Sequence, residues 1–437
     1  MPLSPPMSPP SRRRVRLAAT ATAVLLALLA PALPASAAGT PAPPAPPAAT
    51  ATARPAHPGL DRKALDRTLQ DLHKAGMYGA YSAVRDGDAS WQGASGVADI
   101  KTGRPMRPQF EHRIGSITKT FTATAVLQQV GEGTIDLDAP IGRYLPDVVP
   151  GERGRAITVR MLLNHTSGLG DYDTEIWKTP DDVVRMRYRQ WDPRELVRLG
   201  LEAPPQGKPG EAHHYANTNY VIAGLLLRKV TGQAPEKYIT DHVIRKAGLK
   251  HTYFPRSAHV TGPHAKIYEG LYGLFDPPRD FTVHNMSWAR TAGALISTMD
   301  DLNQFFRALL TGKLLDPAEL RQMKTTVPTE VGARYGLGLF SVDSTCGRFW
   351  GHDGLVWGAS TISLSSEDGR RQLSLGVNLT RYYGLGEDGL PKTGPIDTAQ
   401  QAHMGQALCG ISPTRDAAPR VSPFRDPESI RVPAAAR

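Results

Sequence analysis

Ser116 and Lys119 stand three residues apart in Gly115-Ser116-Ile117-Thr118-Lys119-Thr120-Phe121, the sole Ser-x-x-Lys of the 437-residue chain. On a helix, residues three apart project from one face. A serine hydroxyl is a poor nucleophile at neutral pH and needs a neighbouring base. A lysine amine can be that base once burial lowers its pKa enough to free the lone pair. A helix start also offers backbone N–H groups and a partial positive charge to a developing oxyanion. The chemistry implied is acyl transfer through serine.

Two further stretches fit that chemistry. Tyr215-Ala216-Asn217 is the sole Tyr-x-Asn and lies just ahead of an apolar helix. A tyrosine there can relay a proton if a nearby lysine lowers its pKa from about 10. The third expected element is a basic residue followed by x-Gly on a strand. Lys74, Lys101, Lys208, Lys246 and Lys392 all begin Lys-x-Gly triplets, but at helix ends, in turns or between prolines. His352-Asp353-Gly354 has the better context, since it leads through Leu355-Val356-Trp357-Gly358 into a strand over Ala359 to Leu364. The glycine permits close approach of another backbone.

These groups need rigid elements to hold them. Asp61 caps a predicted helix bearing Leu65, Leu69 and Leu72 on one stripe, ended by Gly76. Strands over Tyr78 to Arg85 and Ser90 to Ala98 follow, joined at Asp86-Gly87-Asp88. The Ser116 helix runs to about Gly131 and is apolar almost all round, as a buried helix should be. Further helices are expected over Thr158 to Leu163, Asn219 to Val230 and Asp300 to Leu310. From Tyr335 the pattern turns to strands, over Gly336 to Val342, Arg348 to Gly351, Gly358 to Ser365 and Arg371 to Leu379. A helix over about Thr398 to Cys409 closes the fold. The expected architecture is α/β (α+β): an antiparallel sheet built from both chain ends, flanked by helices, with a mostly helical lobe inserted.

Composition bounds the setting. Five of the ten net positive charges are arginines within residues 1–58, which carry no acid, and the body is only mildly basic. No run of Lys and Arg interleaved with aromatics is present, which argues against nucleic-acid binding. Arg12, Arg13, Arg14 and Arg16 precede an apolar run from Leu17 to Ala30 and the small residues Ala35-Ser36-Ala37. That pattern is a secretory signal over 1–37, by the general or the twin-arginine route, and too short for a membrane span. No cysteine follows it to carry a lipid. Residues 38–58 form a Pro/Ala-rich linker, 59–411 the folded domain, and 412–437 a disordered Pro/Arg/Ala tail. Within the domain, 59–115 with 331–411 make the α/β part and 116–330 the helical part. With two cysteines in an exported chain, Cys346 and Cys409 pair in one disulfide. No His/Cys/Asp/Glu spacing suits a metal, and neither a nucleotide-binding Gly-rich loop nor Gly-x-Ser-x-Gly is present.

Taken in order, the three stretches resemble the serine β-lactamase / penicillin-binding protein superfamily, in its class C-like branch with the secreted D-alanyl-D-alanine carboxypeptidases. The resemblance spans about residues 60 to 410. It includes Arg113-Ile114-Gly115-Ser116, Leu162-Leu163-Asn164-His165-Thr166-Ser167-Gly168-Leu169, Tyr335-Gly336-Leu337-Gly338-Leu339 and the Cys346–Cys409 pair.

The resemblance implies a β-lactamase/transpeptidase-like fold and a set of roles. Ser116 is acylated, Lys119 and Tyr215 share the general-base work, and Tyr215 protonates the leaving amine. Asn217 holds the acyl-side amide and His352 lines the opposite wall. The backbone N–H groups of Ser116 and Leu355, beside Gly354, form the oxyanion hole, and Trp288 walls the pocket. It implies a secreted, monomeric serine D-alanyl-D-alanine carboxypeptidase without cofactor, acting on peptidoglycan stem peptides and acylated by β-lactams. The alternatives are an esterase, D-aminopeptidase or weak β-lactamase on the same scaffold, or a penicillin-binding sensor without turnover. Ala216 replaces the usual serine, Leu355 stands where Thr or Ser commonly follows the glycine, and Phe340-Ser341-Val342 lacks a basic residue. These departures point away from a free C-terminal D-Ala and toward an ester, amide or D-amino-acid peptide.

Overall fold

The computed structural model describes residues 59–330, 332–387 and 391–410. The expected signal peptide, linker and tail lie outside the described residues. Helix α1 (Arg62–Lys74) starts where expected: the Asp61 carboxylate accepts from the Ala64 N–H at 3.0 Å, and Leu65, Leu69 and Leu72 are buried. The strands β1 (Gly79–Asp86), β2 (Ala89–Asp99) and β3 (Arg104–Pro105) follow. Four longer helices come next in the chain: α2 (Thr118–Gly131), α3 (Asn217–Thr231), α4 (Met299–Leu310) and, at the end, α5 (Pro395–Cys409). Between α4 and α5 run β4 (Val327–Pro328), β5 (Arg334–Tyr335), β6 (Phe340–Ser344), β7 (Gly347–Val356), β8 (Ala359–Ser366) and β9 (Arg371–Val377).

These nine strands form one antiparallel sheet in the order β3-β2-β1-β9-β8-β7-β6-β5-β4. The central pairing of β1 with β9, Ala80 opposite Val377, joins the two ends of the chain. The alternation along β1 divides the core. Ala80 and Val84 pack beneath α1 and α5, while Tyr81 and Ala83 join the larger core that includes Leu302, Phe305 and Leu309 of α4. Helix α2 is buried at every position from Thr118 to Leu127, and Phe121 stacks on Phe305. At about 1.5–3 kcal/mol for each large apolar side chain buried, this packing holds the helix without a polar face. Among the described residues no helix is long and apolar enough to cross a membrane.

Two local expectations need correction. The predicted strand from Gly336 begins only at Phe340. Gly338 sits at φ +70°, and a Cβ there would lie 2.6 Å from the Ala123 Cβ of α2 and 2.7 Å from the Tyr220 hydroxyl of α3. The chain is wedged between two helices there, and that close approach prevents strand pairing. The predicted Arg348–Gly351 strand instead runs on to Val356 and takes in His352-Asp353-Gly354, because β8 pairs along its whole length. The neighbour β6 stops pairing at Gly351, so residues 352–356 present an open edge.

Cys346 and Cys409 are disulfide-bonded with Cα atoms 5.6 Å apart, tying the β6–β7 turn to the end of α5. The bond spans 63 residues, for which loss of loop entropy in the unfolded chain predicts about 4 kcal/mol. Cys346→Ser with Cys409→Ser should lower unfolding stability by that order in denaturant titration, with the same burial at the site.

Candidate active site

The Ser116 turn is fastened from behind. His112 and Arg113 pair with Ser297 and Ile296, and the Ile114 N–H donates to Leu295 O at 3.0 Å. The Thr118 hydroxyl donates to Gly115 O at 2.7 Å and accepts from the Leu295 N–H at 3.1 Å. Ser116 lies in a 3₁₀ turn (Gly115–Ile117) that leads into α2, so it is half-buried at the helix mouth and not within the α-helix proper. The open edge of β7 is pressed against this turn. A Cβ on Gly115, itself at φ +53°, would stand 2.7 Å from Leu355 N, and one on Gly354 would stand 1.9 Å from Ile114 O and 2.9 Å from Ser116 N. Only glycine at both positions lets the backbone N–H groups of Ser116 and Leu355 come side by side.

Lys119 is 0% exposed. Its Nζ lies 3.0 Å from Ser116 Oγ, 2.6 Å from Asn217 Oδ1 and 2.8 Å from Ala292 O. Burial draws its pKa down from 10.5 to about 7, against the opposing pull of Asp171, Asp173 and Asp353. The amide and carbonyl oxygens can only accept. A neutral amine therefore spends its two hydrogens on them and turns its lone pair toward the Ser116 hydroxyl. That is the geometry of a general base at its nucleophile.

Asn217 begins α3 and is held by two carboxylates that sequence reasoning passed over. Its backbone N–H donates to Asp171 Oδ2 at 3.0 Å, and its Nδ2 donates to Asp173 Oδ2 at 2.9 Å. With the amide nitrogen so engaged, Oδ1 is left to face Lys119. Burial raises the Asp171 pKa, which its backbone donors, Asn217 first, partly offset. The available signal was two acids flanking a buried tyrosine in the otherwise apolar run Leu169-Gly170-Asp171-Tyr172-Asp173.

Tyr215 differs from expectation. Lys119 Nζ lies 4.7 Å over its ring face, not at its hydroxyl. Burial therefore governs, and the phenol pKa is raised well above 10, with the Ser116 hydroxyl opposing the rise and the charge of Asp353 adding to it. A half-buried phenol raised in this way keeps its proton near neutrality, beside the Ser116 hydroxyl. Behind it, His165 (at φ +60°) stacks on the ring at 4.1 Å and accepts from the Ala216 N–H at 3.2 Å through Nδ1. Burial holds this imidazole neutral. The sequence singled out His165 only within a longer resembling stretch, not as the support of Tyr215.

His352 is 1% exposed. Its Nδ1 donates to Asp353 O at 2.6 Å, so Nε2 accepts from the Tyr335 hydroxyl at 2.8 Å. Burial lowers its pKa to about 3. It stands beside the site, but both ring nitrogens are committed, and it offers the cleft neither a proton donor nor a charge. Burial pushes the Asp353 carboxyl up toward about 7, against its own backbone N–H and the Lys119 charge, and the 31% of its side chain that water reaches moderates that rise. Trp288 is 8% exposed and packs edge-on against Trp177, which packs edge-on against Trp357; these rings form an aromatic cluster more than an open wall. The structure thus brings Ser116, Lys119, Tyr215, Asn217, Gly354 and Leu355 together, and sets His352 and Trp288 one layer back.

Comparison with known proteins fits this arrangement. A family model described as Beta-lactamase matches residues 65–387. The chain is similar to a D-stereospecific amidohydrolase from a Streptomyces species, with a TM-score of 0.70 and 34% identity over 80% of this chain and 99% of that one. It is similar to the D-amino acid amidase of Ochrobactrum anthropi, with a TM-score of 0.65 and 30% identity over 73% of this chain and 91% of that one. It is also 25% identical to a Bacillus subtilis protein described as putative penicillin-binding protein PbpX, over 72% of this chain and 74% of that one. Two further curated relatives, each described as Protein flp of Staphylococcus aureus, are longer, and the matched region spans about half their length.

Proposed function

The chain belongs to the beta-lactamase family, and from that premise we propose that it is an acyl-serine hydrolase of amides and esters of D-amino acids. The observation that carries the chemistry is the buried Lys119 amine, 3.0 Å from Ser116 Oγ with its hydrogens committed elsewhere. Ser116 Oγ bonds to the substrate carbonyl carbon as its proton passes to Lys119. The N–H groups of Ser116 and Leu355 hold the oxyanion. Collapse breaks the carbon–nitrogen or carbon–oxygen bond, Tyr215 hands its proton to the leaving group, and the proton taken up by Lys119 returns to Tyr215 through solvent in the cleft, since the amine lies over the ring and not at the hydroxyl. Water then adds to the acyl-serine by the same route, releasing the acid and Ser116.

The substrate class rests on the likeness to a D-stereospecific amidohydrolase over nearly all of that protein's length. A D-alanyl-D-alanine carboxypeptidase is the second reading, favoured by the PbpX likeness. It requires a partner for a terminal carboxylate, and the neutral, fully bonded His352 does not supply one. Hydrolysis of D- and L-phenylalanine amide, a D-phenylalanine ester and a diacylated Lys-D-Ala-D-Ala peptide tests the choice. Faster release from the D-amide or ester supports the first reading, and faster release of D-Ala the second.

Tyr215→Phe keeps the ring on His165 but removes the proton. Acylation should fall about 10²-fold, more for amides than for esters with good leaving groups, in single-turnover assays. We also propose that the Arg12 to Ala37 segment directs export, a setting in which the Cys346–Cys409 bond persists. Amino-terminal sequencing of the protein from culture medium should place the mature start near residue 38.

A further inference from the structure

The carboxylates around the candidate site are unequally employed. Asp171 and Asp173 are spent on Asn217. Asp353 is not spent on anything comparable. Its Oδ1 lies 3.5 Å from His352 Nδ1, but that nitrogen gives its proton to the Asp353 carbonyl, and the ring is neutral. Among the described residues no side chain donates a hydrogen bond to the Asp353 carboxylate and no permanently charged cation pairs with it. A carboxylate left with only its own backbone N–H and the charge of Lys119 for support costs stability in a cleft unless solvent or a ligand relieves it.

Its position gives the charge a direction. Asp353 precedes Gly354, whose backbone touches the Ser116 turn, on the part of β7 that β6 leaves unpaired. Its charge reaches Lys119, Tyr215 and Tyr335. Tyr215 is the group that hands a proton to the departing fragment, so a charge felt at its hydroxyl is felt by that fragment as well.

Resting on the acyl-serine reading above, we propose that Asp353 sets leaving-group specificity, disfavouring fragments that carry a carboxylate next to the scissile bond and admitting neutral amides, amines and alcohols. A C-terminal amino acid and the ring carboxylate of a penicillin fall in the disfavoured class. The physical cause is repulsion between like charges inside a cleft where solvent screens poorly.

The test uses two matched pairs of probes at pH 8.5, where Asp353 is ionised. D-phenylalanylglycine and D-phenylalanylglycinamide differ in the carboxylate of the leaving fragment, as do benzylpenicillin and its methyl ester. Product release is followed for the first pair and acylation by intact mass for the second. The wild-type protein should favour the uncharged member of each pair. Asp353→Asn should shrink that preference on the order of ten- to a hundredfold by speeding the charged member, and Asp353→Ser gives the same comparison should the first variant fold poorly. Peptide cleavage with an unchanged preference in both variants overturns the role of Asp353 and leaves the D-amino-acyl reading standing. Acylation by the penicillin pair with a shifted preference, but no cleavage of either peptide, upholds Asp353 and overturns that substrate class. No reaction with any of the four overturns both.

Discussion

Lys119→Met will lower acylation about 10²- to 10⁴-fold, the usual contribution of a positioned general base. Methionine fills the buried space left by the lysine stem and cannot take a proton. In the wild-type protein the free amine is absent below its pKa of about 7 and complete above it, so acylation should rise with pH through 7 and then level. The variant should lose that limb, read by single-turnover acylation at pH 5 to 9. Stability has its own sign. The lysine pKa is lower folded than unfolded, so between about 7 and 10 the unfolded wild-type chain binds more protons and wild-type stability rises with pH. The difference in melting temperature between variant and wild type should therefore shift in favour of wild type across that range. A variant with an intact neutral limb and near-normal rate would remove Lys119 from the base role.

Ser116→Ala should abolish turnover, by 10⁴-fold or more at an order-of-magnitude level. It should also abolish the mass gain of one penicilloyl unit expected when the wild-type protein meets benzylpenicillin methyl ester, the member of that pair the cleft admits. Ser116 is half-buried, and its hydroxyl meets Lys119 Nζ at 3.0 Å, so its loss leaves the turn fastened by Thr118, Leu295 and Gly115. The folded state should persist by circular dichroism, which separates loss of the nucleophile from loss of structure. Wild-type turnover by this variant would sink the assignment of Ser116.

The helices were legible where a local rule sufficed. Asp61 and the Leu65, Leu69, Leu72 stripe place α1, and the all-round apolar character of Phe121 to Leu127 marks a helix with no solvent face. The hairpin at Gly87 was equally local. The failures were not local. Gly336 to Leu339 has strand composition, but α2 and α3 close on Gly338 and bend it away. His352-Asp353-Gly354 is strand because β8, further along the chain, pairs with it.

The site divides along the same line. Ser116 with Lys119, three apart, and Tyr215 with Asn217, two apart, are near neighbours along the chain, and reactivity of that kind follows from residue type and short spacing. Their presence and the acyl-transfer class were therefore set by the sequence itself. Protonation states were not, because a pKa depends on what surrounds the group in space. Only the packed structure enclosed Lys119 to bring its amine near neutrality and laid it on the face of the Tyr215 ring, so that burial drove the phenol upward. It alone brought Asp171 and Asp173 to Asn217 from more than forty residues away, and left the Asp353 carboxylate without a side-chain donor on an open strand edge. Residue types state which reactions are possible; desolvation and the placement of distant charges decide which group carries the proton.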